Sequence, residues 1–318
     1  MFENIGQTLS EIFPPKPVWT VDKIPDLSGK VAIVTGGNTG IGKVTCKYLL
    51  LNNAKVYMAS RSQEKADAAI ADLKAVTKKD DIYFLSLDLA DLASVKKAAA
   101  EFQSKETQLH LLFNNAGVMA CPMEQITKQG LDMQFGTNVI GHGYFTKLLL
   151  PTLVATAKTT PDGKVRVINT SSNGHIGAPK GGILWDTLKE GPIRLKKLGP
   201  QSAYFQSKWG NVVFSDELAR QYGDQGIVST SLNPGAIRTE LARYAPQWIM
   251  RIFNGMLNEA DPFGAMTQLY AGTAPETASA NGKYFIPWAR PGVPRADTED
   301  EEVAKKLWNY IDEVTADI

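Results

Sequence analysis

The sequence predicts an α/β fold, a single doubly wound domain with a parallel seven-stranded sheet and helices on both faces. Two observations carry that prediction. From Lys30 onward, seven short runs rich in β-branched and apolar residues follow one another: VAIVT, KVYMAS, DIYFLSLD, LHLLFNNAG, KVRVINTSS, IVSTSLNPG and KYFIPW. Between them lie segments long enough for crossover helices, at 40–53, 62–78, 91–106, 131–155, 203–223 and 263–272. Strands that are apolar throughout and alternate with helices belong to a parallel sheet covered on both sides.

Bulk composition narrows the function classes. The 318 residues carry a net charge of +1 and are 43% hydrophobic, so a large core can form and no general field draws in nucleic acid or anionic membrane. Cys46 and Cys121 lie far apart, and His110, His142 and His175 show no ligand-like spacing. A disulfide framework and a metal site are therefore not expected, and a reducing, cytoplasmic setting is. The sequon at Asn169-Thr170-Ser171 sits inside a strand-like run and reads as accidental. No stretch reaches the ~18 consecutive apolar residues of a membrane span.

Residues 1–27 read as an N-terminal extension and 28–318 as the catalytic domain, with no internal linker. In MFENIGQTLSEIF, the residues Phe2, Ile5, Leu9, Ile12 and Phe13 fall on one helical face before PPKP stops the helix. That face is expected to pack on its own domain or on a dimer mate, with a lid or a weak membrane contact as the alternative. Two segments break the rhythm: 174–202, rich in Gly, Pro and Lys, and 240–261, rich in Trp, Met, Ile and Phe. Long loops in a compact domain tend to carry function. The terminal TEDEEVAKKLWNYIDEV reads as an amphipathic helix with Val303, Leu307, Trp308 and Ile311 inward.

The first strand runs into TGGNTGIGK and then into a helix. Gly36 suits a tight turn, Gly40 a close approach to a pyrophosphate and Gly42 close helix packing; Asn38, Thr39 and Ile41 complete the turn. The helix N-terminus supplies free N–H groups and a positive dipole end, so the segment predicts dinucleotide binding of the Rossmann type. A site that prefers NAD usually carries an acid at the end of the second strand. This chain has Ser60, Arg61 and Ser62, with Lys65 one turn on, so Arg61 is assigned to a 2′-phosphate and the cofactor to NADP(H). An exposed surface arginine is the alternative.

In SAYFQSKWG, Tyr204 and Lys208 stand four residues apart on one helical face. The pair alone is compatible with proton transfer or with a packed ring beside a solvated lysine. Together with TGGNTGIG (35–42), Asp88, NNAG (114–117), NVIG (138–141), INTSS (168–172) and NPGAIRTE (233–240), however, it resembles the short-chain dehydrogenase/reductase family from about residue 28 to 290. Within that family the chain is most similar to the retinol dehydrogenase and WW-domain oxidoreductase group, without an N-terminal anchor or a WW domain.

The resemblance implies cofactor contacts at Asp88, on the adenine, and at Leu89. It places Asn114 and Gly117 along the adenosine ribose, with Asn115 and Ala116 in the same loop. Pro234, Gly235 and Ile237 follow, and Thr239 lies near the nicotinamide amide. It also implies Tyr204 as general acid and base, and Lys208 as the cation that lowers the tyrosine pKa and holds the nicotinamide ribose. Ser172, the last serine of TSS, would donate to the reacting oxygen, and Asn138 would anchor a water that relays protons from Lys208.

The expected activity is that of an NADP-dependent carbonyl reductase or alcohol dehydrogenase acting on a small hydrophobic ketone, aldehyde or alcohol. Segment 240–261, with Trp248, Met250, Phe253 and Met256, would either cover the substrate or pack on the domain. A dinucleotide-sensing or partner-binding protein of the same fold is the alternative function, and a homo-oligomer is left open. A sugar-nucleotide epimerase is disfavoured because Thr39 stands where its glycine interval needs a glycine. Trp185 and Trp209 are expected to pack, His175 to be a loop residue, and Cys121 to lie near the pocket.

Overall fold

Each predicted strand forms in the computed structural model, which describes residues 5–238 and 257–318. Strands β1 (Val31–Thr35), β2 (Lys55–Ser60), β3 (Ile82–Ser86), β4 (Leu111–Asn114), β5 (Val165–Thr170), β6 (Ile227–Leu232) and β7 (Lys283–Ile286) pair in parallel. The spatial order is β3-β2-β1-β4-β5-β6-β7, so the chain winds outward in both directions from β1 and β4. Among the described residues the sheet has eight strands and not seven: β8 (Arg290–Gly292) adds antiparallel to β7. Three residues centred on Pro291 leave no hydrophobic period in the sequence to reveal it.

Alternation along the strands feeds two cores. Ile33 and Leu112 point into the layer that holds Phe102, Phe145, Leu149 and Trp209, whereas Val34 and Phe113 point into the layer of Leu49, Met58, Ile168 and Leu269. Preceded by α1 (Ile5–Ile12), the helices α2 (Gly40–Leu51), α3 (Gln63–Thr77), α4 (Leu92–Lys105), the single turn α5 (Met133–Phe135), α6 (His142–Ala157), α7 (Pro192–Lys197), α8 (Pro200–Tyr222), α9 (Ala265–Thr273) and α10 (Glu301–Thr315) follow in chain order. The terminal helix α10 buries Leu307, Trp308 and Ile311 and is capped by Asp300, whose carboxylate accepts from the N–H groups of Glu302 and Val303. Among the described residues, no helix is long and apolar enough to cross a membrane and no group of His, Cys, Asp and Glu could hold a metal.

The N-terminal helix forms where predicted, and of its apolar face Leu9 and Phe13 are not covered by the chain's own domain. Leu9 and Phe13 are 54% and 65% exposed, while Glu11 is 1% exposed. The helix docks through polar groups: Gln7 Nε2 donates to Val293 O at 2.8 Å, Gln7 Oε1 accepts from Val293 N–H at 2.9 Å, and Arg290 Nη2 donates to Ser10 O at 2.9 Å. Phe2 and Thr239, together with most of segment 240–261, including Trp248, Met250, Phe253 and Met256, lie outside the described residues.

Segment 174–202 is more ordered than its composition suggests. It contains α7, and α8 begins at Pro200, where the ring costs no hydrogen bond at the first helical position. Arg194 on α7 forms a buried ion pair with Asp132 at 2.8 Å and also donates to Met123 O. The other Asp132 oxygen accepts from the N–H groups of Gln134 and Phe135, which start the α5 turn leading to Asn138. The insertion is thereby tied to the helix behind the site. Replacing Arg194 with Ala leaves a buried carboxylate without its cation and is expected to cost about 3–5 kcal/mol of stability, read as a lower urea midpoint with an unchanged slope.

Candidate active site

The C-terminal ends of β1, β2, β4, β5 and β6 open on one cavity. Its floor is the turn after β1. Gly36 adopts φ +67°, and a Cβ added at Gly42 would stand 2.3 Å from Gly36 O, so α2 begins in direct contact with the turn. Thr39, the residue before α2, makes no side-chain cap, which leaves the first N–H groups of the helix without a side-chain acceptor. Asn38, Gly40 and Ile41 line the same wall. An uncapped helix start over a glycine turn fits a pyrophosphate.

At one end of the cavity stand Ser60, Arg61, Ser62 and Lys65. Ser60 Oγ is buried without a hydrogen-bond partner, while Ser62 caps α3 by accepting from Lys65 N–H at 3.3 Å. An orphaned hydroxyl beside a guanidinium fits a phosphate ester. Asp88 and Leu89, after β3, form the adjoining wall.

The loop after β4 is pinned from below. Thr35 Oγ1 accepts from the N–H groups of Asn115 and Ala116, both at 2.9 Å, and Asn115 Nδ2 donates to Thr35 O at 2.8 Å. Gly117 continues this wall; a Cβ there would stand 3.4 Å from Asn138 Oδ1 and 3.6 Å from Lys208 Nζ, so the glycine keeps the approach to the lysine open. Asn114 is a correction. Its amide donates to Thr146 Oγ1 and Asn169 Oδ1 inside the protein, and it does not line the cavity.

The opposite end holds Ser171, Ser172, Tyr204 and Lys208. Ser171 donates its hydroxyl to Lys208 O at 2.7 Å, whereas Ser172, the next residue, lines the cavity and donates its hydroxyl to Asn173 Oδ1 at 3.3 Å. Burial pushes the Tyr204 phenol up to about 12, against a lowering by Ser172. Burial likewise brings the Lys208 ammonium down to about 7. Its Nζ donates to Thr170 O at 2.9 Å and lies 5.7 Å from the Tyr204 ring centre. Burial, and not the lysine charge, therefore governs the phenol here. Pro234, Gly235 and Ile237 close this end, and Thr239 lies outside the described residues.

Asn138 stands behind the cavity wall, fully buried. Its Oδ1 accepts from Val118 N–H at 2.9 Å, and its Nδ2 donates to Val118 O and to Ser207 Oγ. The side chain is thus a clamp between the loop after β4 and α8. It sits in the π-helical turn Gly136–Gly141, where the ordinary helical bonding is interrupted.

Two histidines had no role in the sequence reading. His142 is held neutral by burial, its pKa lowered to about 4, and its Nδ1 lies 3.0 Å from Asn138 O. Because a carbonyl can only accept, Nδ1 carries the proton and Nε2 accepts from Thr35 Oγ1 at 2.9 Å. His175 is not a plain loop residue: it is fully buried, Nδ1 donates to Ser172 O at 2.7 Å, and Nε2 accepts from Arg295 N–H at 3.1 Å. The available signal was position, since His142 is one helical turn after Asn138 and His175 three residues after Ser172. Trp209 packs in the core and donates to Asp297, and Trp185 lies against the same core. Cys121 is buried just after β4.

Comparison with known proteins agrees with this geometry. Residues 30–184 match the family model described as short chain dehydrogenase. A short-chain dehydrogenase/reductase of Armillaria gallica is 56% identical over 97% of both chains. An uncharacterised oxidoreductase of Schizosaccharomyces pombe is 40% identical over 95% of this chain and 89% of its own. The crystal structure of an uncharacterised protein from Mycobacterium paratuberculosis superposes with a TM-score of 0.72 at 30% identity, covering 94% of this chain and 97% of that one.

The lysine makes a pH signature. Its folded pKa, about 7, lies below its ordinary 10.5, so between these values the unfolded chain binds a proton the folded chain does not. Stability contributed by this group therefore rises from pH 7 toward 10.5, and Lys208→Met should flatten that rise in urea titrations. An unchanged pH profile would mean that Lys208 keeps its proton in the fold.

Proposed function

Because this chain belongs to the short-chain dehydrogenase/reductase family, we propose that it is an NADP(H)-dependent oxidoreductase that interconverts a hydrophobic ketone or aldehyde and the corresponding alcohol. The observation that carries this reading is one cavity with Ser172, Tyr204 and Lys208 at one end and Ser60, Arg61 and Lys65 at the other. When bound, the dinucleotide supplies or accepts the hydride. The chain itself handles the proton and the charge on oxygen.

In reduction, Ser172 Oγ and Tyr204 Oη, which line the same cavity, converge on the carbonyl oxygen. A phenol pushed up to about 12 is protonated at neutral pH, which is the form needed to deliver a proton to that oxygen. Ser172 donates to the same oxygen as negative charge builds on it. The carbonyl of Ser172 is held by His175 and its hydroxyl accepts from Gly174 N–H at 3.0 Å, so the donor is fixed before substrate arrives. In oxidation, Tyr204 must accept a proton, and that direction needs an added positive charge beside the phenol. Lys208 is the nearest basic side chain along its own helix and would in addition hold the nicotinamide ribose.

NADP(H) is favoured over NAD(H) because β2 ends in Ser60 with Arg61 next, a free hydroxyl and a guanidinium where an acid would serve NAD, with Lys65 one turn on. Val118 and Met133 at the reactive end suit an apolar substrate. Two buried thiols suit a reducing compartment such as the cytoplasm.

Tyr204→Phe is expected to lower turnover by roughly 10²–10⁴-fold with cofactor affinity kept, as befits loss of a general acid; NADPH oxidation against a panel of aldehydes and ketones, with and without the substitution, checks it, and full activity in the variant would sink the assignment. Arg61→Ala should cut the preference for NADPH over NADH by roughly 10–100-fold, the worth of a charge-assisted hydrogen bond. A wild-type enzyme that prefers NADH would overturn the role given to Arg61.

A further inference from the structure

The N-terminal helix carries a buried acid that no step above uses. Both oxygens of Glu11 are engaged: Gln7 Nε2 donates to Oε1 at 2.8 Å and Asn233 Nδ2 to Oε2 at 2.7 Å. Asn233 follows β6 directly, and its N–H donates to Phe285 O at 2.9 Å. Its Oδ1 accepts from Gly235 N–H at 3.0 Å. Gly235 adopts φ +95°, and a Cβ there would stand 2.9 Å from the Trp288 ring, so this turn has little freedom of shape. One hydrogen-bonded line therefore runs from α1 to the wall of the cavity.

That wall belongs to the reactive end. In the sheet, β6 lies beyond β5, on the side away from β2 and Arg61. Anchoring the helix does not require a buried carboxylate, whose desolvation is costly. An apolar stripe was available for that purpose, yet Leu9 and Phe13 face water.

We propose that Glu11 is a positioning residue supplied by the N-terminal extension: it holds the Asn233 amide so that the Pro234–Gly235 turn takes the shape that seats the nicotinamide half of the dinucleotide. The proposal rests on the cofactor reading above. Without the carboxylate, the Asn233 amide, 2% exposed, loses its acceptor and is driven to find another, which releases Gly235 N–H. The adenosine half, bound at the far end, is untouched by this loss.

The experiment compares two ligands on the full chain by calorimetry: NADPH, and 2′,5′-ADP, which carries the adenosine half alone. Glu11→Ala is expected to weaken NADPH by roughly 10-fold and raise its KM while 2′,5′-ADP stays within about 2-fold, the scale of one lost buried hydrogen bond. Glu11→Gln keeps one acceptor for Asn233 and should recover most of the loss, and Leu9→Ser, on the exposed side of the same helix, should bind both ligands as wild type does. Should Glu11→Ala fail to fold, Glu11→Asp, one methylene short of Asn233, is expected to give the same split. Equal weakening of both ligands, or of neither, overturns the proposal. A wild-type chain that binds neither NADPH nor NADH sinks the cofactor reading, and this inference with it.

Discussion

The site is organised around the hydroxyl of Thr35, the last residue of β1. It accepts the N–H groups of Asn115 and Ala116 and donates to His142 Nε2, whose other nitrogen holds Asn138 O. Phe113 O, 3.2 Å away, is left as a secondary contact because one hydroxyl proton cannot serve both. The central strand, the loop after β4 and the helix carrying Asn138 are thereby locked in register. Losing the hydroxyl would strand two backbone N–H groups, each at a cost of about 1–3 kcal/mol. The Asn138 clamp on Val118 and Ser207 then extends the same rigid body to α8, and so to Tyr204 and Lys208.

Burial sets the electrostatic starting point of that body. With the phenol raised and the ammonium lowered, both members of the Tyr204 and Lys208 pair are shifted toward neutrality. A dry pocket disfavours charge on either group until something charged shares the pocket with them. The Tyr204 phenol therefore carries its proton at neutral pH.

The alternation of strands and helices, the glycine turn and the Tyr204 and Lys208 pair were legible in the sequence because each depends on local spacing: apolar strand runs between helical segments, a turn between strand and helix, residues four apart on one helix. Other features depend on partners that spacing cannot supply. Glu11 meets Asn233 more than two hundred positions away, and the helix docks on its own domain through this polar side while Leu9 and Phe13 stay exposed. Asn114 appeared to belong with its motif neighbours, but strand alternation sends it to Thr146 and Asn169. His175 looked like a loop residue because its acceptor and donor, Ser172 O and Arg295 N–H, come from separate segments. The strength of the lysine effect on Tyr204 was also beyond reach, since burial is not written in the sequence.

One small feature at the other margin has a wider reach. The antiparallel strand β8 is three residues long with Pro291 at its centre, and just past it the Gln7 amide occupies both the N–H and the C=O of Val293 as a neighbouring strand would. An open sheet margin invites a second chain to add on; a proline, which has no N–H, and a side-chain amide standing in for a strand remove that invitation. That margin therefore offers a second strand few free backbone groups at Pro291 and Val293.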